Sequence, residues 1–254
     1  GGLLLSLERM NRVLALRVRR DGGFAVRCQA GVPLSQLQRS LKERRFADSA
    51  TWERPSLRAL EALRQRGMFF PPDPTETSAS LGGMVACNAS GAHTFRYGPT
   101  RPYVLGLTVV LADGAVLDLR RGECAADARG RLALWLPDGS RRPVPTPGYA
   151  FPATKNAAGY LGGAGVDAVD LFVGSEGTLG VITEVDLRLI ACPEVSSAQV
   201  IFLRDEAAAL ALTQDLRGRR EALGVEAIEY FSGEALDFLR GIRRQFGGAS
   251  GVPE

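Results

Sequence analysis

Two segments dense in glycine, alanine and hydroxylated residues constrain this chain more than any other feature of its sequence. The first covers residues 71–91 and the second covers residues 171–183. Glycine permits positive φ angles that turn backbone N–H groups toward a ligand, and small side chains let a flat ligand come close to the backbone. Two such segments in one chain indicate a large, polar, partly planar ligand held mainly by main-chain atoms. A nucleotide cofactor fits this description.

The composition limits the class of protein. A chain of 254 residues can form one large domain or two modest ones, and a hydrophobic content of 45% is ample for a core. The net charge of +3 is small and the arginine clusters are dispersed, which favours solvated surfaces over a nucleic-acid-binding stripe. No apolar run approaches the roughly 20 residues that cross a bilayer. We therefore expect no nucleic-acid partner and no transmembrane segment.

Cysteine and histidine usage bears on the compartment and on metal binding. The four cysteines are scattered without a C-x-x-C pair, which predicts a buried thiol at each and a reducing, cytoplasmic setting. His93 is the only histidine. A two-histidine metal site therefore cannot be built from these residues alone, and we expect no metal ligands in the chain.

Hydrophobic patterning predicts the elements that flank the two segments. Leu34, Leu37 and Leu41 form one stripe of a helix, and Leu57, Leu60 and Leu63 have helical spacing within residues 45–66. We expect this second stretch to be a surface helix. Strands are predicted at residues 3–7, 13–18, 27–30 (after a turn at 21–23), 104–119 (a hairpin with its turn at Asp113-Gly114) and 181–190. Residues 120–150, which are rich in Pro, Gly and Arg, are predicted to be irregular.

A boundary is predicted at Pro193 and the serines that follow it. Beyond it, residues 199–203 and 225–231 are predicted as strands, and helices are predicted near residues 205–216 and 232–246. Ser232 is the expected N-cap of the last helix. The C-terminal part thus has a β-α-β-α pattern.

The segments, taken with the blocks around them, carry a resemblance to a known family. The blocks are SLERMN at 6–11, FFPPDPT at 69–75, YGPTR at 97–101, VLGLTVVLADG at 104–114 and KNAAGY at 155–160. In this order they resemble the FAD-binding domain of the vanillyl-alcohol oxidase superfamily, over about residues 3–194. The resemblance is closest to FAD-linked dehydrogenases of glycolate, D-lactate and D-2-hydroxyglutarate.

The resemblance implies an α+β fold of the vanillyl-alcohol oxidase type. Residues 1–194 would form the FAD-binding domain with an incomplete N-terminal subdomain, and residues 195–254 would begin a ferredoxin-like cap domain. Family members usually carry an earlier R-G-x-G-T-S loop that grips the FAD pyrophosphate and a later histidine-rich catalytic segment. The chain is therefore expected to be the middle of a longer protein, and to be inactive and poor at retaining FAD when expressed alone.

The resemblance also assigns cofactor contacts to both segments. In the first segment the prolines stiffen the backbone, the hydroxyl groups face the cofactor, and Gly82 and Gly83 let the chain pass the isoalloxazine or ribityl portion. In the second segment the E-G-T-L-G-V-I match places main-chain atoms near the adenine and ribose. The implied cofactor-binding residues are Pro72, Asp73, Pro74, Thr75, Thr77, Ser80, Gly82, Gly83, Asn88, Ala89, Ser90, Glu176, Gly177, Thr178, Gly180, Val181 and Ile182. The alternative is two tight turns that lead into buried strands.

Three further residues are candidates for catalysis. Lys155 and Tyr160 could hold a substrate carboxylate by charge-assisted hydrogen bonds. Alternatively, Lys155 is a surface lysine and Tyr160 packs on the core. His93 could act as an acid or base near the flavin, or it could be a loop histidine without a catalytic role.

The implied function is oxidation of a small 2-hydroxy acid by hydride transfer to N5 of FAD. The substrate class would be glycolate, D-lactate or D-2-hydroxyglutarate, and an unidentified electron acceptor would be the partner. The scattered cysteines predict a cytoplasmic location, and membrane association through a partner is the alternative. Two alternatives stay open: another oxidase of the superfamily, acting on an alcohol, aldonolactone or lipid-ether precursor, and a non-catalytic fragment that does not retain FAD.

Overall fold

The computed structural model describes residues 4–156 and 159–246, which divide into two units, Gly1–Glu194 and Val195–Glu254. The first unit is built on an antiparallel sheet. Its strands are β1 (Val13–Val18), β2 (Phe24–Gln29), β3 (Met68–Phe69), β4 (Val104–Val110), β5 (Val116–Arg120) and β8 (Val181–Ala191). Their order in the sheet is β1-β2-β8-β4-β5, and β3 also pairs with β8. A separate two-stranded sheet pairs β6 (Arg131–Trp135) with β7 (Arg141–Pro145).

Strand β8 organises the main sheet, because it lies between β2 and β4. Val185 is opposite Cys28 on one side and Leu107 on the other. Along the second half of β8, Val185, Leu187 and Leu189 lie on one face and are buried in the core. The opposite face is polar but not fully solvated, since Asp186 is only 2% exposed.

Both predicted hairpins are confirmed, and each turn contains a glycine with positive φ. In the β1–β2 turn, Gly22 has φ +77° and the Asp21 carboxylate accepts a hydrogen bond from the Gly23 N–H at 3.0 Å. In the β4–β5 turn, Gly114 has φ +83°. Asp-Gly is a typical sequence for this task, because glycine adopts the left-handed region without steric cost.

The helices of the first unit are α1 (Leu34–Glu43), α2 (Arg54–Arg64), α3 (Leu81–Ala86), α4 (Thr94–Tyr97) and α5 (Ala168–Phe172). The predicted stripe of α1 is buried at Leu34, Leu37 and Leu41. In α2, Leu60 and Leu63 are buried but Leu57 is 41% exposed. A strict three-residue spacing drifts around a helix of 3.6 residues per turn, so the first leucine leaves the buried face.

Three predictions for the first unit were wrong. Residues 4–7 form no strand, and Leu4 is 94% exposed. Residues 120–150 are not irregular, because they contain the β6–β7 hairpin, in which Leu132 and Leu134 are buried. The prolines of β7 led to the prediction of irregular structure, although proline is compatible with an edge strand. Cys28 is buried, but Cys87 and Cys192 are exposed rather than buried thiols.

The second unit is helical in its described residues. It contains α6 (Glu206–Gly218), α7 (Arg220–Leu223) and α8 (Gly233–Phe246). Asp205 caps α6, and the Ser232 hydroxyl accepts a hydrogen bond from the Ala235 N–H at 3.2 Å, so both predicted helices are confirmed. The predicted strands at 199–203 and 225–231 are absent from the described residues. A strand needs a hydrogen-bonded neighbouring strand, and the hydrophobic pattern of a segment does not show whether such a neighbour exists. The start of a cap domain stays a prediction for this unit.

Among residues 4–156 and 159–246, no helix combines the length and the apolar character needed to span a membrane.

Candidate functional site

The first segment (residues 71–91) lies against the start of α1 and then forms α3. The N–H groups of Leu34 and Ser35 donate hydrogen bonds to Ala79 O at 2.9 Å and Thr77 O at 3.0 Å. The Ser80 hydroxyl caps α3 by accepting from the Gly83 N–H at 3.2 Å. These bonds fix the backbone while residues 75–78 stay exposed. The segment thus presents an ordered surface of small, hydroxylated side chains.

The neighbouring glycines of α3 have different environments. A Cβ on Gly82 would lie 2.5 Å from Ala30 Cβ, and the Gly82 N–H donates to Ala30 O at 2.8 Å. Gly83 is exposed, and a Cβ there would meet only Ser80 Oγ, at 3.0 Å. Packing against Ala30 therefore explains the missing side chain of Gly82, and a larger residue there would disturb the fold. Gly83 is the glycine that leaves backbone accessible from outside.

The two segments meet directly. The Gly174 N–H donates to Val85 O at 3.0 Å, and the Glu176 N–H donates to Ala86 O at 2.8 Å. The second segment (residues 171–183) is therefore attached to the C-terminal end of α3. The two segments are in contact, although they are far apart along the chain. Which of their residues contact a cofactor stays a prediction.

The second segment exposes its own small residues next to this junction. Glu176, Gly177 and Thr178 are exposed. Gly177 has φ +76° and no heavy atom within 4 Å of the place where a Cβ would project. Glu176 also has a positive φ, +51°, which is uncommon for a residue with a side chain. Open space beside Gly177 is what a ligand approaching the backbone requires.

Several implied contact residues do not present side chains to this surface. Pro72 and Gly82 are buried, and Ile182 is only 6% exposed. At Gly180 a Cβ would lie 2.8 Å from Val109 Cγ1, so packing against β4 explains this glycine. The alternative of tight turns leading into buried strands thus describes part of each segment. The exposed portion consists of Thr75, Thr77, Gly83, Ser90, Glu176, Gly177 and Thr178.

Residues 88–90 follow α3 and are hydrogen-bonded to residues 100 and 101. Asn88 has φ +48°, and its Oδ1 accepts a hydrogen bond from the Arg101 N–H at 2.9 Å. The Ala89 carbonyl accepts from both the N–H and the hydroxyl of Thr100, at 3.0 and 2.8 Å. The Asn88 side chain is therefore engaged within the protein, whereas Ser90 is exposed.

His93 has a partner, Asp73. Its Nδ1 lies 2.9 Å from Asp73 Oδ2, and its backbone N–H donates to Asp73 Oδ1 at 3.2 Å. The His93 side chain is 42% exposed. The carboxylate orients the imidazole and leaves Nε2 directed away from it. This arrangement could support proton transfer, but the catalytic role stays a prediction.

Lys155 and Tyr160 lie beside different segments. Lys155 is exposed, and its Nζ is 3.5 Å from Gly91 O, at the end of the first segment. The Tyr160 hydroxyl is hydrogen-bonded to Thr178 Oγ1 in the second segment. Tyr160 is half-buried and does not belong to the core, contrary to the simpler alternative for this residue. The intervening Ala157 and Ala158 of the KNAAGY block lie outside the described residues.

Sequence reasoning missed a polar network behind the junction. Arg101 donates from Nη1 to Asp170 O at 2.5 Å and from Nη2 to Val173 O at 2.6 Å. Arg121 holds both carboxylate oxygens of Asp170, at 2.8 and 2.9 Å. No local pattern reveals these pairs, because 69 and 49 residues separate the partners. Arg101 does occur in the YGPTR block, which was the one available signal.

The exposed residues of the two segments have the chemistry that an FAD site requires. It combines accessible backbone at Gly83 and Gly177 with hydroxyl groups at Thr75, Thr77 and Thr178. Two surface cavities, of about 420 and 550 Å³, lie elsewhere: one beside α1 and β3, the other between the turns of the β4–β5 and β6–β7 hairpins. Neither cavity is lined by the exposed residues of the two segments.

Comparisons with known proteins support FAD binding by a domain that contains the first segment. A family model described as an FAD binding domain matches residues 55–120, which include the first segment. Residues 55–120 are therefore similar to an FAD-binding domain, as the resemblance to the vanillyl-alcohol oxidase superfamily implied. FAD is the cofactor of this domain. The match begins within α2, so the second half of residues 45–66 is part of the family pattern.

The relatives of the FAD-binding domain are longer proteins. D-lactate dehydrogenase of Anaerostipes hadrus is 31% identical over 76% of the chain and 28% of its own length. D-2-hydroxyglutarate dehydrogenase of Xanthomonas citri is 30% identical over 94% of the chain and 37% of its own length. Glycolate oxidase subunit GlcD of Bacillus subtilis is 33% identical over 85% of the chain and 33% of its own length. The chain thus spans about a third of the length of these relatives.

Among solved structures, alkyldihydroxyacetonephosphate synthase aligns with 74% of this chain and 23% of its own chain, at 22% identity and a TM-score of 0.43.

Proposed function

We propose that the protein containing this chain is an FAD-dependent oxidoreductase that oxidises a small 2-hydroxy acid of the glycolate, D-lactate or D-2-hydroxyglutarate type. The observation that supports the proposal is the junction at Val85–Gly174 and Ala86–Glu176, which brings the two glycine-rich segments into direct contact. The three relatives are named for oxidation or dehydrogenation of these acids. A cytoplasmic protein that passes electrons to a separate acceptor would be consistent with this chemistry.

FAD, when bound, supplies the acceptor for the hydride that the substrate loses. The residues of this chain would bind and orient. Gly83 and Gly177 would let their backbones approach the cofactor, and Tyr160 would hold the Thr178 hydroxyl in place. Small residues at these positions exclude no ligand volume, and fixed backbone donors need little rearrangement when the ligand binds.

The substrate side of the proposal involves Lys155 and His93. The exposed Lys155 ammonium would form a charge-assisted hydrogen bond with the substrate carboxylate. His93, oriented by Asp73 through Nδ1, would take the proton of the substrate hydroxyl at Nε2. Both residues lie at the end of the first segment, where a substrate could meet a cofactor held on the exposed surface.

The test is purification of the full-length protein, a spectrum in the flavin absorption band, and dye-reduction assays with glycolate, D-lactate and D-2-hydroxyglutarate. We expect stoichiometric flavin and turnover of at least one of these acids. A protein that binds no FAD would refute the cofactor surface. A flavin-loaded protein that oxidises none of the three would refute the substrate class alone.

A matched pair of variants tests the surface itself. Gly83→Leu places a side chain on the exposed face of α3, and Ala62→Leu adds a side chain of equal size to the exposed face of α2. We expect Gly83→Leu to weaken FAD binding by about tenfold or more. The leucine side chain would occupy the space of the cofactor, and this removes more binding free energy than the loss of one or two contacts. The melting temperature of the apoprotein should stay near that of wild type. Equal FAD affinity for both variants would place the cofactor elsewhere.

A further inference from the structure

Arg101 connects parts of the chain that belong to both segments. Its backbone N–H donates to Asn88 Oδ1, immediately after α3, at 2.9 Å. Its guanidinium donates to Asp170 O at 2.5 Å and to Val173 O at 2.6 Å, at the end of α5. The second segment continues directly from Val173 into Gly174. One residue thus contacts the exit of the first segment and the entrance of the second.

We propose that Arg101 is a positioning residue that sets the spacing of the two glycine-rich segments and thereby shapes the surface on which FAD binds. The inference rests on the proposed cofactor site. Arg101 does not reach the exposed surface, since only 13% of its side chain is accessible. Its effect on FAD is therefore indirect, through the positions of Asn88 and Gly174.

The geometry requires the forked shape of arginine. Two carbonyl groups that are three residues apart, Asp170 O and Val173 O, are held by two different nitrogens of one planar guanidinium. A lysine ammonium could keep the positive charge, but it is a compact point donor on a flexible stem. It would not hold both carbonyls at the same distances.

Gly174 makes room for this contact. A Cβ at Gly174 would lie 3.2 Å from Arg101 Nη2 and 3.5 Å from Asn88 Cβ, and the residue has φ +83°. Both the space and the backbone angle favour glycine here. The absence of a side chain at Gly174 and the presence of Arg101 are therefore parts of one arrangement.

Asp170 and Arg121 hold Arg101 from behind. Arg121 binds the Asp170 carboxylate through two nitrogens, at 2.8 and 2.9 Å, and donates to Arg101 O at 3.2 Å. Burial lowers the pKa of Arg101, and the Asp170 carboxylate acts in the opposite direction. An arginine side chain remains protonated in proteins. The charge is thus retained at a half-buried place where its hydrogen bonds are directional and strong.

The test uses the full-length protein with Arg101→Met and Arg101→Lys, and with Arg131→Met as the matched control. Arg131 also pairs with an aspartate, Asp127, but this pair is exposed and lies at the start of β6. FAD affinity is measured by fluorescence quenching well below the melting temperature of each apoprotein. We expect Arg101→Met to raise the Kd for FAD by about tenfold or more, as expected for two lost charge-assisted bonds. Arg101→Lys should recover part of this loss, and the control should match wild type.

A second variant keeps the arginine and disturbs its approach. Gly174→Ala introduces a Cβ against Arg101 Nη2, while Gly139→Ala introduces one at a similar φ, +80°, into open space. We expect only Gly174→Ala to raise the Kd for FAD. This pair decides the matter if Arg101→Met does not fold.

The outcomes separate the inference from the proposed function. If wild type binds no FAD, the proposed function fails. If wild type binds FAD and folded Arg101→Met and Gly174→Ala bind it equally well, the positioning role is refuted, whatever the loss in melting temperature. Complete recovery by Arg101→Lys would show that charge matters and the fork does not, which also overturns the inference.

Discussion

Asp170 and Asp186 are both buried carboxylates surrounded by arginines, yet they are held in different ways. Asp170 receives two close bonds from Arg121, at 2.8 and 2.9 Å, and Arg101 approaches it at 3.5 Å. Asp186 has three arginines around it, at distances of 3.5, 3.6 and 3.0 Å. Its Oδ2 makes no hydrogen bond within the described residues. More arginines do not produce better hydrogen bonding.

The difference follows from what each carboxylate holds together. Asp186 lies on β8, and its arginines come from β1, β2 and β5, whose backbones are already fixed by strand pairing. Asp170 lies on α5. Arg101 and Arg121 connect this helix to two segments that are not paired with it as strands are paired in a sheet. Around Asp186, strand pairing already holds the backbone, and the ion pairs add to an ordered sheet. Around Asp170, the side-chain hydrogen bonds themselves connect the segments, so their direction determines where the segments lie.

The largest effect is expected from Asp170→Ala. Removal of this carboxylate leaves two half-buried arginines without their shared acid, and we expect a loss of about 3–5 kcal/mol of unfolding free energy. The measurement is denaturant unfolding of the apoprotein. A loss below about 1 kcal/mol, typical of an exposed pair, would show that the network is not a structural connection.

A smaller loss, about 1–3 kcal/mol, is expected from Asp186→Ala. Arg27 keeps Glu184 at 2.6 Å, and Arg120 keeps Asp118 at 3.0 Å, so neither loses its only acid. The same unfolding experiment gives the direct comparison. If Asp186→Ala cost as much as Asp170→Ala, the proposed distinction between sheet and loop networks would be wrong.

The smallest effect is expected at the exposed pair of Arg142 and Asp113. The Arg142 side chain and the Ala115 backbone N–H donate to Asp113 and lower its pKa. A lowered pKa in the folded state gives stability that is present above the unfolded value of about 3.9 and is lost as the pH falls through the folded value. Between pH 5 and pH 3 the wild-type melting temperature should therefore fall slightly more than that of Asp113→Asn. If both proteins showed the same pH dependence, the Asp113 carboxylate would not contribute to stability in this pH range.

Local chemistry was sufficient for much of the fold. Asp-Gly turns predicted the hairpins at Asp21 and Asp113, and the leucine stripe predicted α1. The predictions failed where a neighbour decides the structure. Residues 199–203 have a strand-like sequence but no strand partner among the described residues, while β6 and β7 pair despite the prolines of β7.

The candidate site shows the same division. The sequence identified both glycine-rich segments, and the exposed Gly83 and Gly177 lie where a cofactor could approach. It could not distinguish Gly82, which packs against Ala30, because that contact is made across more than 50 positions of the chain. Nor could it assign a role to Asp170, since nothing near it in sequence indicates Arg101 or Arg121.

By itself the sequence determined the turn-forming glycines, the amphipathic stripes and the small-residue segments, because each depends on backbone freedom or side-chain size at neighbouring positions. Only the tertiary structure decided which glycine faces outward, which arginine holds which carboxylate, and where the two segments meet. These features depend on distances between residues that are remote along the chain, and such distances are fixed by sheet order and packing rather than by local pattern.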